Sequence, residues 1–578
     1  MKMNKLVSAV CGALLTASVS AFAADVNVKL IGFNDFHGNL KSPGNFSGNP
    51  AGGADYLAGY IASLKAQNPN TVVIHAGDMV GASPLVSALF HDEPTIEAMN
   101  KIGVDIASVG NHEFDEGRTE LIRMKTGGCH PTDANSCKGP DGTFKGARFQ
   151  FLAANVIDKA TGQPLFPRYV VKTFGGVRMA FIGMTLEGTP TIVTPTGVAG
   201  LDFKDEADTV NSLIKTLRNQ GVNAITIVVH EGGTQSGPIG GCTNMSGAIL
   251  DIVNRLDSSV DLVISGHTHQ AYVCQLPNAQ GKMIPVTSAS AFGRVLTNID
   301  VVLDTVTRDV KSVTASQVVV NRNNASITPN AEIAALVTHY DALVAPIANQ
   351  VIGKISQTVD RSTNAACEHE SGDLIADAQL AATQAPEFGG AVAAFMNPGG
   401  VRADFAFASS AAGEGDGNIT YGESFTVQPF GNSLVTMSVT GAQIKTMLEQ
   451  QFVGCGQPAA PTGFNRVLQV SKGFEYEWDR SGGVCARVVP GSVKLNGAPI
   501  NDAQIYRVTV NNFLADGGDG FVVLKNGTDR LGGAVDVDAL TDFLKPTLSP
   551  APTGTPYVPP ALTRIKQKDA TVTSCPSN

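Results

Sequence analysis

The chain has 578 residues, 43% of them hydrophobic and 16% charged, which excludes a disordered protein and calls for more than one ordinary core. Its formal net charge of -10 argues against binding a nucleic-acid polymer. An anionic ligand would then need a local positive centre, such as metal ions.

The chain opens like an exported protein. Lys2 and Lys5 precede a mostly apolar run at residues 6–19, and Ala21-Phe22-Ala23 offers a cleavage site. Residues 1–23 therefore read as a signal peptide, and the mature chain as periplasmic or secreted. Its removal takes two lysines and no acids, so the charge goes from -10 to -12. No later stretch reads as long and apolar enough to cross a bilayer, and the polar residues 571–578 do not suit a lipid anchor. No stable membrane insertion is expected. Of nine cysteines, Cys11 leaves with the signal. The remaining eight suggest disulfides, with Cys129–Cys137, Cys242–Cys274 and Cys455–Cys485 as local pairs, leaving Cys367 and Cys575.

The first half alternates short apolar runs with helical patterns. Residues 26–33, 71–76, 106–109, 224–229 and 262–265 read as buried strands. Residues 53–66, 94–101 and 205–219 read as helices. That alternation predicts a layered α/β domain over residues 24–328. Each strand runs into a polar, glycine-rich cluster: Asp35-Phe36-His37, Gly77-Asp78, Gly110-Asn111-His112-Glu113, His230-Glu231 and Gly266-His267-Thr268-His269. Ligand sites in α/β sheets gather beyond strand carboxyl ends, so five such clusters predict one convergent site.

Asp35, His37, Asp78, Asn111, His230, His267 and His269 are seven oxygen and imidazole donors, enough for two first-row divalent ions sharing a carboxylate. Asp78 is the candidate for the shared group. Taken singly, a histidine after a strand is more often structural. The chain has only 10 histidines, however, and five fall in these clusters.

Residues 329–352 read as a mainly helical linker, with Thr328 as N-cap, Pro329 in the first turn and Ile333, Leu336, Val337, Tyr340, Leu343 and Val344 periodic. Pro346 should kink or end it. Residues 353–566 mix strands and helices in a second domain, and residues 567–578 read as a polar tail.

The ordered set Asp35-Phe36-His37, Gly77-Asp78, Gly110-Asn111-His112-Glu113, His230 and Gly266-His267-Thr268-His269 resembles calcineurin-like metallophosphoesterases. With Phe114-Asp115 following and a second domain present, the chain is similar to the bacterial periplasmic type of the 5′-nucleotidase family: an α/β fold, with an N-terminal layered metallophosphoesterase sandwich and a C-terminal α+β substrate-binding domain. The resemblance implies that Asp35, His37, Asp78 and His269 hold one ion and that Asp78, Asn111, His230 and His267 hold the other, with Zn²⁺ or Mn²⁺ as the candidates. It implies a catalytic dyad of His112 and Asp115. Two such ions acidify water and clamp the phosphoryl oxygens.

In the second domain, Asn397-Pro398-Gly399-Gly400-Val401-Arg402, Gln428-Pro429-Phe430-Gly431-Asn432 and the run from Phe513 to Asp519 look like the family's substrate motifs. The resemblance implies a base stacked between Phe430 and Phe513, Asp519 on ribose hydroxyls, Asn397 on the base or sugar, Arg402 on the phosphate, and close backbone approach at Gly399. The chain departs from the pattern before Gly372, where the family carries arginines and this chain has Glu368-His369-Glu370, with Arg361 the nearest arginine.

The expected activity is metal-dependent hydrolysis of nucleotide phosphate esters to nucleoside and phosphate, by a monomer or homodimer. Nucleoside diphosphates, UDP-sugars and 2′,3′-cyclic nucleotides are further candidate substrates. Two other readings are a thiosulfohydrolase-like enzyme acting on a carrier protein and a non-catalytic nucleotide-binding surface protein. The domains are expected to move relative to each other, hinging near residues 329–352.

Overall fold

The computed structural model describes residues 25–194, 196–409, 412–458, 464–548, 554–569 and 571–576. The expected signal peptide lies outside them.

Two six-stranded sheets face each other in the first half of the chain. The first is ordered Asp309–Val319, Val295–Asp304, Val26–Phe33, Thr71–Ala76, Ile106–Ser108 and Gln150–Leu152. Its last four strands are parallel. The second sheet is ordered Ala271–Pro277, Met283–Ala289, Leu262–Ser265, Ala224–His230, Val177–Thr185 and Tyr169–Phe174, with a parallel centre. Central parallel strands need apolar residues on both faces, and Val72, Ile74, Val228 and Ile264 supply the face between the sheets. Helices cover the outside of each sheet. Ala54–Lys65 and Glu93–Ile102 pack on the first, and Glu206–Asn219 and Ile249–Arg255 on the second. Asp205 caps its helix by accepting from the Asp208 amide at 2.8 Å. The result is a helix–sheet–sheet–helix sandwich whose parallel strands all end on one side.

The connecting helix is shorter than its sequence pattern suggests. It spans Ala331–Ala348, and its N-cap is Asn330, not Thr328, because the Asn330 side chain accepts from the Ile333 amide at 3.0 Å. Pro346 lies in the last turn, and a strand begins at Val351. Among the periodic residues Leu343 is 44% exposed, so the buried stripe is Ile333, Leu336, Tyr340 and Val344. Contrary to expectation, this helix is long and apolar enough to cross a membrane by length and composition. Its buried stripe is packed into the first domain's outer core.

The second half is built on a five-stranded sheet ordered Gln469–Val470, Ala393–Met396, Ile505–Asn511, Ser433–Thr440 and Thr528–Val535. Ala393–Met396 and Ile505–Asn511 run parallel, and the short strand Gln469–Val470 pairs antiparallel to the former. Trp478, Phe452, Phe395 and Phe474 fill the core beside it. The three expected local disulfides are present, and the two remaining cysteines pair as Cys367–Cys575. The polar tail is further tied down by strand Ile565–Gln567, parallel to Phe474–Gly483.

Candidate active site

The five strand-end clusters meet where the two sheets of the sandwich open. Val26–Phe33, Thr71–Ala76, Ala224–His230 and Leu262–Ser265 each stop within four residues of a donor, and the chain turns sharply there. Asp35, His37, Asp78, His267 and His269 all have positive φ, between 46° and 71°. Such backbone is uncommon for residues other than glycine and costs on the order of 1 kcal/mol each. Five of seven candidate ligands carrying it mark a place where side-chain aim outweighs backbone comfort.

Asp35, His37 and His269 bring donor atoms together in one group, and Asp78, His230 and His267 in another. His37 Nε2 lies 3.2 Å from His269 Nε2 and 3.7 Å from Asp78 Oδ2, while His269 Nε2 is 3.5 Å from Asp35 Oδ1. His230 Nε2 is 2.9 Å from Asp78 Oδ2 and 3.2 Å from Asn111 Oδ1. Asp78 thus stands between the two groups.

The donor set asks for cations. His230 Nδ1 is committed to the Ala76 carbonyl at 2.8 Å, so its Nε2 faces two oxygen acceptors. Only positive charge between them satisfies all three. Burial opposes protonation of His230, yet Asp78 and Asp35 push its pKa up to about 10, so the surroundings favour positive charge at this position. His37 donates Nδ1–H to the Gly81 carbonyl at 2.8 Å, which leaves the Nε2 lone pair free to ligate. Burial drives the pKa of His37 and His269 well below the usual value, and that of His267 down to about 3, keeping these rings neutral. Neutral imidazole and carboxylate or amide oxygen suit divalent first-row ions, and these residues fit two of them.

His112 Nδ1 meets Asp115 Oδ2 at 2.8 Å, and the His112 backbone N–H donates to Asp78 Oδ1 at 2.9 Å. Burial works against its charge, but Asp115 and Asp78 outweigh it and raise the pKa. Asp115 orients the ring while closing a single 3₁₀ turn.

The second domain reaches this centre. The Phe430 ring stacks on His112, with centroids 5.7 Å apart and planes 15° from parallel. The Arg402 guanidinium lies 5.8 Å from the Phe430 ring. Burial lowers its pKa, while Asp78 and Asp115 pull the other way, so its charge is felt at the candidate ligands. Asn397 donates to Asp519 Oδ2 at 2.8 Å, and a Cβ added at Gly399 would stand 3.7 Å from both side chains. Phe513 packs against Gly518 at the start of the Asp519 turn. Asn397, Gly399, Phe513 and Asp519 therefore cluster, while Phe430 and Arg402 border the candidate metal ligands.

Residues 28–271 match the calcineurin-like phosphoesterase family and residues 351–526 the 5′-nucleotidase C-terminal domain. The chain is 34% identical over 588 residues to the cell wall protein Lmo0130 of Listeria monocytogenes, covering 94% of this chain and 71% of that protein. It is 32% identical over 530 residues to the endonuclease YhcR of Bacillus subtilis, covering 90% of this chain but only 40% of that longer protein. The fold superposes on the 5′-nucleotidase precursor of Thermus thermophilus with a TM-score of 0.73 at 25% identity, covering 94% of this chain and 99% of that one. The chain belongs to the 5′-nucleotidase family. It is a hydrolase of the dinuclear metallophosphoesterase type, and that fold implies divalent metal ions.

Within this family member three residues outside the candidate set shape the site. Glu113 is buried, and its carboxylate accepts from the amides of Asp78 at 3.0 Å, Met79 at 2.7 Å and Gly110 at 2.5 Å, pinning two ligand loops to each other. Asn34 donates to Asp35 and to the Ser290 carbonyl and accepts from the Ala289 amide. Phe292 sets its ring edge-on to His37 and His269, at 5.9 and 5.4 Å. Only Glu113 could have been found, as the acid closing Gly110-Asn111-His112-Glu113.

The arginine-poor run before Gly372 also has a structural explanation. His369 caps helix Glu370–Thr383, its Nδ1 accepting from the Gly372 amide at 3.0 Å. Arg361 reaches the same neighbourhood from another direction: it is held on Asp404 at 3.1 Å and lies 3.4 Å from the Val401 carbonyl, next to Arg402.

Proposed function

We propose that this protein is an exported 5′-nucleotidase that releases phosphate from nucleotides, with the metal ligands and substrate residues assigned above and domains at residues 24–328 and 353–566. The observation that carries the reading is the Phe430 ring lying on His112 with Arg402 beside it, which joins an aromatic platform and a phosphate-binding cation to the phosphoesterase centre. Four disulfides suit a periplasmic or secreted protein.

Asp35, His37, Asp78, Asn111, His230, His267 and His269 would hold two ions, Zn²⁺ or Mn²⁺, which would supply Lewis-acid charge to phosphoryl oxygens and lower the pKa of water. Arg402 orients the phosphoryl group as a forked donor. His112, held by Asp115 through Nδ1, directs Nε2–H toward the charge that develops on the phosphoryl group or its leaving oxygen. Phe430 takes one face of the base.

The test is phosphate release by the mature protein from AMP, ADP, UDP-glucose, 2′,3′-cyclic AMP and bis-p-nitrophenyl phosphate, with Mn²⁺ or Zn²⁺ and again after EDTA. Metal-dependent release from a nucleotide, lost in His112→Ala, supports the reading. Release from none of them with metal bound would overturn it.

A further inference from the structure

One cation of the second domain sits among the substrate residues without belonging to any of the family's motifs identified above. Arg466 precedes strand Gln469–Val470, which pairs antiparallel with Ala393–Met396. That pairing carries Arg466 toward the carboxyl end of Ala393–Met396, where Asn397 follows. Asn511 ends the parallel strand Ile505–Asn511 at the same edge and donates to Asn397 Oδ1 at 3.0 Å. Asn397, Asn511, Asp519 and Arg466 therefore share one end of one sheet. The turn Gly518–Gly520 at that end touches the first domain's turn Thr189–Thr191, so this edge faces the cleft between domains. Arg466 is also close enough for its charge to be felt at His267.

The contacts of Arg466 are specific. Its Nε lies 3.4 Å from Asp519 Oδ1, and Nη1 donates to Gln457 Oε1 at 2.6 Å. Gln457 in turn donates to the Asp519 carbonyl at 2.6 Å. Phe464, 50% exposed, stacks on the guanidinium at 4.4 Å. The Arg466 side chain is 16% exposed and Asp519's is 7%. Among the described residues Nη2 has no hydrogen-bond acceptor. A mostly covered guanidinium with donors to spare thus stands against a carboxylate whose other oxygen is engaged by Asn397.

A carboxylate accepts and a guanidinium only donates, whereas each hydroxyl of a vicinal diol does both. Side by side, the two side chains match a ribose diol: Asp519 accepts a hydrogen bond from a hydroxyl and Arg466 donates to the hydroxyl oxygens. We propose that Arg466 is a specificity-determining residue of the substrate site, reading the 2′,3′-diol together with Asp519 and so favouring ribonucleotides over 2′-deoxyribonucleotides. A bound substrate lacking the 2′-hydroxyl would cover an Arg466 donor without giving it an acceptor, which is how polar pockets reject analogues that lack a group. The inference rests on the nucleotide reading above and on Asp519 as the ribose ligand.

The experiment compares the unsubstituted protein with Arg466→Gln and Arg466→Lys, all loaded with Mn²⁺, on AMP, 2′-deoxy-AMP and p-nitrophenyl phosphate. The unsubstituted protein is expected to prefer AMP over its deoxy analogue by about ten-fold or more in kcat/KM. Arg466→Gln should shrink that preference to about two-fold, mainly through a higher KM for AMP, and Arg466→Lys should keep part of it. Hydrolysis of p-nitrophenyl phosphate, which has no sugar, should stay within about two-fold in both variants. A preference unchanged in Arg466→Gln, or no preference in the unsubstituted protein, overturns the inference alone. A parallel fall on AMP and p-nitrophenyl phosphate also overturns it, by making Arg466 structural. Hydrolysis of p-nitrophenyl phosphate with none of AMP removes the nucleotide reading and this inference with it.

Discussion

His75 is fully buried in strand Thr71–Ala76, and neither ring nitrogen has a hydrogen-bond partner among the described residues. Its ring sits edge-on to Phe33, 4.7 Å between centroids. Burial, with the nearby charge of His230, pushes its pKa from 6.5 down to about 3. A depressed histidine contributes nothing to the pH dependence of stability above 6.5, where folded and unfolded chains are both neutral. Below 6.5 the unfolded chain takes up a proton that the folded one refuses, so stability falls with pH until about 3. At about 1.4 kcal/mol per pH unit, lowering the pH to 5 removes about 2 kcal/mol through this residue alone. His75→Leu keeps a similar volume and removes the two unpaired nitrogens. It should be about 1 kcal/mol more stable than the unsubstituted protein at pH 7, where about 1–3 kcal/mol of unpaired polar burial is relieved against the lost ring contact. At pH 5 the advantage should grow to about 3 kcal/mol. Urea unfolding of both proteins at the two pH values, followed on the first-domain transition, measures it. Parallel loss of stability in the two proteins from pH 7 to 5 would refute the account of His75 as a neutral, unpartnered ring.

Other substitutions test the site more directly. Glu113→Ala leaves the amides of Asp78, Met79 and Gly110 without their acceptor, so unfolding should become easier by about 2–4 kcal/mol and metal content should fall, read by urea titration and elemental analysis. Phe430→Ala should raise KM for AMP by about five-fold or more, from about 1–3 kcal/mol of stacking, with a smaller change for p-nitrophenyl phosphate. Equal losses on both substrates would show that Phe430 serves the chemistry through His112 and not the base. His91 is held between Glu116 at 2.6 Å and Asp133 at 3.1 Å, and the hydrogen bond to Glu116 chiefly raises its pKa to about 9 against partial burial. That stabilisation is complete below 6.5 and is lost as pH rises through 9, so the melting-temperature gap between the protein and His91→Gln should narrow between pH 7 and pH 10.

The strand ends were readable because a β-branched run stopping at Asp, Asn or His leaves little else for the polar residues to do. Val26–Phe33, Thr71–Ala76 and Leu262–Ser265 have the bounds their composition suggests. The helix cap at Asn330 was missed because Thr328 and Asn330 are both good caps, and only the register of the helix against the first domain's core chooses between them. Arg466 and Phe292 were invisible for a different reason: each acts through a neighbour far away in sequence, Asp519 and the His37–His269 pair, and no local spacing encodes such a meeting. The placement of Phe430 against His112 belongs to the same class, since it depends on how two separately folded units meet.

The Cys367–Cys575 bond spans 208 residues, whereas the bonds of the first domain span 8 and 32. During synthesis from the amino end, both bonds of the first half can form while the second half is still incomplete. The second half stays covalently open until position 575 has emerged. For a while, then, Cys367 is a thiol with no lawful partner, and the cysteines at 455 and 485 are the wrong ones it meets first. Correct pairing of this chain should accordingly depend on disulfide isomerisation more than its short-range bonds alone would require.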